Sequence, residues 1–380
     1  MNQLGHVIIK DPTHQAGTPL AWQSAHQWRA PSLVELAAPD MKADQAHRLV
    51  SQGIGLLWQG DFHQGRQLLQ AIKRRLTHKS QRFETLDWPE RFHRLRLQRS
   101  QVARQAGLLL VKVTRGYKLE CPRAPDIQCA CESAYGQALS DQDFVLPLTE
   151  LNGVLSAYQW QSQGLPVAAL GQTIYPRWGV FAPTRHEYLD LVMQAPLPDG
   201  CRSAVDVGAG SGVLALLLAK RGIQRIWATD INEAALTCAS ENVARLGLHA
   251  QISVIQANLV PGGKFDLLIC NPPWLPGAAS GPLEAAIYDP QHRMLRGFLS
   301  QASAHLNASG QAWLILSDLA EHLKLRSRQE LLQWINDAGL TVLDRLDTKP
   351  SHRKLLDEHD PMAYARRQEI TSLWRLSASA

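Results

Sequence analysis

A chain of 380 residues can hold two domains with cores of their own, and with 45% hydrophobic and 19% charged residues it is neither disordered nor fibrous. The formal charge of +5 permits an anionic partner without requiring one. Six unevenly spaced cysteines suit reduced thiols rather than a disulfide framework.

The first residues, MNQLGHVIIKDPTHQ, hold a short apolar run interrupted by Lys10 and Asp11 and lack the core and cleavage site of a secretory signal, so a cytoplasmic protein is expected. The longest uncharged stretch, Leu151 to Pro176, contains Asn152, Gln159, Gln161, Gln163 and Pro166, and is too polar to cross a bilayer. Residues 1 to about 40 show no sustained period and predict an irregular lead-in. From Met41 to about Gly107 the period is helical. Leu49, Ile54, Leu56, Leu57 and Trp58 make one apolar face, Gly60-Asp61 interrupts, and Phe62, Leu68, Leu69, Ile72 and Leu76 make a second, which predicts a helical hairpin. Leu108 to Glu120 reads as a β segment and Leu148 to about Gln163 as a further helix. A Pro/Gly-punctuated stretch between about 165 and 176 marks the boundary between a smaller, mostly helical domain over 1–170 and a second over 171–380. Charge is uneven across that division. Residues 61–123 carry fifteen Lys/Arg against Asp61, Glu84, Asp87, Glu90 and Glu120, a net +10 that leaves −5 for the rest of the chain.

From Ala204 onward, strand and helix alternate. Val205–Val207, Ile226–Thr229, Ile252–Ile255, Phe265–Cys270 and Ala312–Leu316 are apolar runs of strand length, separated by helical stretches at Val213–Arg221, Glu233–Leu246 and Met294–Leu306. Gln329–Ala338 adds a helix, and Thr341–Leu346 and Glu369–Leu376 two more strands. This pattern predicts an α/β domain whose mainly parallel, seven-stranded sheet is doubly wound by helices on both faces. His352-Arg353-Lys354, between the last two strands, has two readings, an insertion that reaches substrate or an exposed loop.

Three motifs carry chemistry. Asp206-Val-Gly208-Ala-Gly210-Ser-Gly212 joins a strand to a helix, where glycines let the backbone turn tightly and approach a ligand. Asp206 has the alternative of capping that turn. Asp230 closes the next strand, where its carboxylate can accept from both hydroxyls of a ribose. Asn271-Pro272-Pro273-Trp274 ends the fourth strand. With all three in this order, residues from about 175 to 380 resemble the class I S-adenosylmethionine-dependent methyltransferases of the branch that methylates amino groups conjugated to a planar π system.

That resemblance implies a Rossmann-like fold and S-adenosylmethionine as cofactor, contacted by Asp206, Gly208, Gly210, Gly212, Asp230 and Ile231. It places Asn258 at the adenine amino group, Phe181 as a hydrophobic cover, and Thr184 as a helix cap or a contact to the methionine end. It makes Asn271, Pro272, Pro273 and Trp274 the catalytic group. The carbonyls of Asn271 and Pro272 orient the amine, proline fixes φ to present its carbonyl, and Trp274 stacks on a flat substrate or packs as core. The leading expectation is methylation of an exocyclic amine of a nucleobase in RNA, guanine N2 or adenine N6, with segment 61–123 docking phosphates. The relatives that do this more often carry Phe or Tyr after Asn-Pro-Pro. The second expectation is glutamine-N5 methylation of a translation factor or ribosomal protein, and the third a non-catalytic RNA-binding protein on the same scaffold. Cys121-x7-Cys129-x-Cys131 lacks a paired CxxC and the histidines lack an HExxH pattern, so no metal centre is expected.

Overall fold

The computed structural model describes residues 6–10, 19–78, 83, 85–279, 281, 283–350 and 360–379. Lys79, Arg82, Glu84 and the His352-Arg353-Lys354 segment lie outside the described residues. The chain forms two compact units, Met1–Gln159 and Trp160–Ala380.

The first unit contains β1 (His6–Lys10), β2 (Pro19–Trp22), β3 (Val34–Ala37), α1 (Ala43–Ser51), β4 (Gly55–Trp58), α2 (Phe62–His78) and α3 (Trp88–Ala106). It continues with β5 (Leu109–Thr114), β6 (Lys118–Leu119), α4 (Gln128–Tyr135), β7 (Phe144–Pro147) and most of α5 (Leu148–Gln163), whose last four residues belong to the second unit. The strands run in the order β4-β3-β1-β2-β7-β5-β6, and β4 also pairs with β5 through Leu56↔Leu109 and Leu57↔Leu110, which closes the sheet on itself. Val7, Trp22, Val34, Leu57, Leu110 and Val145 form a shared buried cluster.

This corrects the expectation of a mostly helical domain. Residues 1–40 supply three strands rather than an irregular lead-in, and Leu56–Trp58 is strand rather than helix face. The physical reason is burial. All four residues of β4 are buried, so it shows no period-two alternation, and a short continuous apolar run looks the same in a buried strand as in a helix. α2, α3 and α5 stand where the periodicity put helices, and α3 starts where Asp87 accepts from the Glu90 N–H at 3.0 Å.

The second unit opens with a hairpin, β8 (Leu165–Val167) and β9 (Gln172–Ile174), followed by α6 (Glu187–Gln194). Then come β10 (Ser203–Val207), α7 (Val213–Lys220), β11 (Arg225–Asp230), α8 (Glu233–Arg245), β12 (Ile252–Gln256) and β13 (Phe265–Cys270). α9 (Arg293–His305), β14 (Leu306–Ser317), α10 (Leu319–His322), α11 (Arg328–Asp337), β15 (Leu340–Thr348), α12 (Ala363–Gln368) and β16 (Thr371–Ala378) complete it.

Its seven strands run β12-β11-β10-β13-β14-β16-β15, parallel from β12 to β14, with β16 antiparallel to both neighbours. Successive strand residues serve opposite layers. Ala204, Leu267, Ile269, Trp313 and Ile315 join the core beneath α6 and α7, while Val205, Val207, Leu268, Leu314 and Leu316 join the core beneath α9 and α11. The expected doubly wound, mainly parallel sheet of seven strands is therefore what forms. The chain winds outward in opposite directions from β10 and β13, and this switch point opens a crevice beyond their carboxyl ends.

Candidate active site

At that crevice, β10 delivers the glycine loop. Gly208, Gly210 and Gly212 have φ of +72°, +55° and +80°, where a side chain is strained. The three serve different neighbours. A Cβ on Gly208 would fall 2.3 Å from Cε of Met294, one on Gly212 would press on Ala239 of α8 at 3.2 Å, and one on Gly210 would meet nothing within 4 Å. Gly210 is thus the position that faces open space. The loop is pinned to β11, with Gly208 and Ala209 donating to the Thr229 carbonyl at 2.8 and 2.9 Å.

Asp206 is fully buried. Its Oδ2 accepts from the Ala215 N–H at 2.9 Å in the first turn of α7, so it caps that helix, while Oδ1 has no partner among the described residues. Burial pushes its carboxyl up to about 7; the Ala215 N–H pulls the other way and the Asp230 charge adds to the rise. Asp230 accepts from Gly210 N–H at 3.0 Å through Oδ2 and from Asn232 N–H at 2.9 Å through Oδ1. Next to it, Ile231 is 68% exposed. Asp230 pairs with Gln256 at the end of β12, and the exposed Asn258 follows two residues later. These side chains therefore gather at adjoining strand ends.

β13 brings the Asn-Pro-Pro-Trp motif to the same edge, because Cys270 pairs with Val207 and Asn271 follows at the level of Gly208. Pro272 and Pro273 are buried, and a bridge between Leu275 and Tyr288 holds the outgoing chain. Asn271 Oδ1 accepts from the indole Nε1–H of Trp274 at 2.9 Å. Trp274 packs against both core layers, and the Arg185 guanidinium lies 4.6 Å from its ring centroid. Arg185 is itself anchored by Glu187 at 2.5 Å, Glu369 at 2.9 Å and Thr371 Oγ1 at 3.1 Å.

The segment before α6 spans from α8 to Trp274. At one end Arg177 pairs with Glu241 at 2.5 Å and Val180 packs on Ala235 and Cys238; at the other end Arg185 covers Trp274. Phe181, 40% exposed, and Thr184, also exposed, lie between these anchors. α6 starts at Glu187 with His186 as its N-cap residue, so Thr184 caps no helix. Among the described residues no hydrogen bond joins Phe181 or Thr184 to the glycine loop. Sequence reading missed Arg185 and Met294, since nothing in the local pattern ties Arg185 to Trp274 or Met294 to Gly208.

The residues present fit S-adenosylmethionine. Gly210 leaves space for a ligand, Asp230 keeps free lone pairs for hydroxyls, and Ile231 offers an apolar surface. Elsewhere the six cysteines are free thiols, and no group of three metal-ligating side chains exists among the described residues. No described helix is long and apolar enough to cross a membrane.

The strand order and this switch-point site give the second unit the Rossmann-like arrangement of a cofactor-binding domain. Residues 172–335 match the family model described as "Methyltransferase small domain". Among curated relatives, the release factor glutamine methyltransferase of Moorella thermoacetica is 43% identical over 106 residues, covering 26% of this chain and 38% of that protein. The tRNA1(Val) (adenine(37)-N6)-methyltransferase of Shewanella amazonensis is 29% identical over 159 residues, covering 39% of this chain and 64% of that protein. Among solved structures, the ribosomal protein L11 methylase of Lactobacillus delbrueckii subsp. bulgaricus is 21% identical with a TM-score of 0.37, over 55% of this chain and 87% of that one. The chain thus spans under two thirds of the length of these curated relatives.

Proposed function

We propose that the chain moves a methyl group from S-adenosylmethionine to an amino nitrogen whose lone pair is delocalised into a planar π system, and that this nitrogen is the side-chain amide of a glutamine in a protein of the translation machinery. The observation that carries the proposal is Asn271-Pro272 at the end of β13, level with a glycine loop whose Gly210 faces open space. The names of relatives such as the Moorella enzyme support a glutamine acceptor.

An amide nitrogen is a poor nucleophile, so the site must orient it and make its lone pair available. The Asn271 Oδ1 and the Pro272 carbonyl each accept one N–H of the acceptor, which favours pyramidalisation and turns the lone pair toward the cofactor. Proline at 272 holds φ and keeps its carbonyl presented. The bound cofactor supplies an electrophilic methyl on a sulfonium. Asp206, Asp230 and Ile231 hold its nucleoside and methionine parts, with Asn258 at the adenine edge and Phe181 as cover. After transfer the nitrogen carries an excess proton that water removes, so no dedicated base is required.

A nucleobase amine in RNA, guanine N2 or adenine N6, is the second reading, and the surface of the first unit favours it. Arg66 and Arg74 on α2 and Arg94, Arg99 and Arg104 on α3 are exposed. Acids offset part of this charge: Arg75 pairs with Asp44 at 2.6 Å, Lys112 with Asp143 at 3.1 Å and Arg123 with Asp61 at 2.6 Å. Under either reading the first unit docks the substrate, the second catalyses, and the site of action is the cytoplasm. Labelled methyl transfer into lysate of a strain lacking the protein, followed by separation of protein from RNA, tests the choice. Label in protein supports glutamine, and label in RNA overturns it in favour of the nucleobase.

A further inference from the structure

We propose that Trp274 and Arg185 are positioning residues that lock the Asn271 amide with its oxygen available to the methyl acceptor. This rests on the methyltransferase reading above. An asparagine amide has two orientations of nearly equal shape, one presenting a carbonyl oxygen and the other an NH2 group. Only the first can accept an N–H from an amine or amide substrate. The indole Nε1–H of Trp274 is a donor with no acceptor capacity, so at 2.9 Å it selects the orientation in which Asn271 turns its oxygen inward. That oxygen has two lone pairs, and the indole takes one, leaving one for the acceptor.

The indole would enforce this only if its own ring were fixed. Arg185 does that. Its guanidinium covers the ring at 4.6 Å and is tied to Glu187, Glu369 and Thr371 on two different elements. Glu187 and Glu369 are buried, and the Ser317 hydroxyl donates to Glu369 at 2.7 Å, so the anchor belongs to the core and not to a mobile surface. The chain of contacts therefore runs from β14 and α6 through Arg185 and Trp274 to the reacting group. A phenyl or phenol ring at 274 fills similar space but carries no N–H at that place. Trp274 acts through its donor edge, with Arg185 occupying one face of its ring.

The test uses the full chain with β-(3-benzothienyl)alanine at position 274, which keeps the shape and stacking of tryptophan and replaces the N–H by sulfur. With lysate protein from a strain lacking this protein as the acceptor, the expected result is a fall in kcat of about three- to tenfold, the scale of one lost hydrogen bond, with the acceptor KM and the S-adenosylmethionine Kd unchanged. Unchanged kcat, or a loss confined to KM, overturns the proposal. A second readout needs no acceptor. In 15N-labelled protein the Trp274 indole proton, assigned by its absence in Trp274→Phe, exchanges slowly with solvent and becomes fast in Asn271→Ala. Equal exchange in the two proteins overturns the proposal. Failure of the methyltransferase reading shows instead as absence of S-adenosylmethionine binding, measured by calorimetry.

Discussion

Replacing Asp206 by asparagine keeps the shape of the side chain and its acceptor for the Ala215 N–H, but removes the charge. In the folded protein this carboxyl stands at about 7 against an ordinary 3.8, chiefly because no water reaches it. A buried aspartate with a raised pKa holds its proton more tightly when folded. Ionising it therefore weakens the fold progressively as pH rises from about 4 toward 7, and above that the penalty is constant. The difference corresponds to about 4 kcal/mol, an upper figure because the buried site relaxes around the charge. Asp206→Asn escapes the penalty. Urea unfolding should find it close to wild type at pH 4 and about 2–4 kcal/mol more stable at pH 8, without cofactor. An Asn variant with the same stability offset at pH 4 and pH 8 would refute the reasoning, because it would place no proton linkage at Asp206.

Other outcomes follow from the same geometry. Asn271→Ala should lower kcat by about ten- to a hundredfold, the loss of an acceptor to a nitrogen gaining positive charge, with S-adenosylmethionine Kd unchanged by calorimetry; near-normal kcat would remove its assigned role. Gly210→Ala should fold with about 1 kcal/mol of left-handed strain yet bind cofactor weakly, whereas Gly212→Ala should lose more stability because its methyl meets Ala239. Thermal melting with and without S-adenosylmethionine separates the two, and an identical pattern in both variants contradicts the division of roles. Charge reversal at the exposed Arg74, Arg94 and Arg104 should leave S-adenosylmethionine binding intact; if it also weakens affinity for RNA and flattens its salt dependence, the nucleobase reading gains, and unchanged affinity argues against it.

Much of the second unit was legible in the sequence because each feature was local. β10, β11 and β13 are mostly apolar segments of strand length, the glycine loop follows the first of them, Asp230 ends the second and Asn271 follows the third. The strand order then follows from parallel pairing with crossover helices. The first unit resisted because its information is non-local. β1, β2 and β3 are short, and β4 takes its identity from partners β3 and β5 rather than from its own pattern. Within the site, the residue types at 206, 230 and 271 announced their chemistry, but the use of Trp274 did not. Its pairing with Arg185 and its N–H on Asn271 arise only when β13, β16 and the chain before α6 meet at one edge.

The central claim is that this site moves a methyl group to a conjugated amino nitrogen. The purified protein, labelled S-adenosylmethionine and lysate from a strain lacking the protein test it most directly, with Asn271→Ala as the control. The account predicts that wild type transfers label to a macromolecule as an N-methyl group, and that the variant binds the cofactor but transfers little. Cofactor binding with no transfer by wild type, or label on carbon or oxygen, would contradict it.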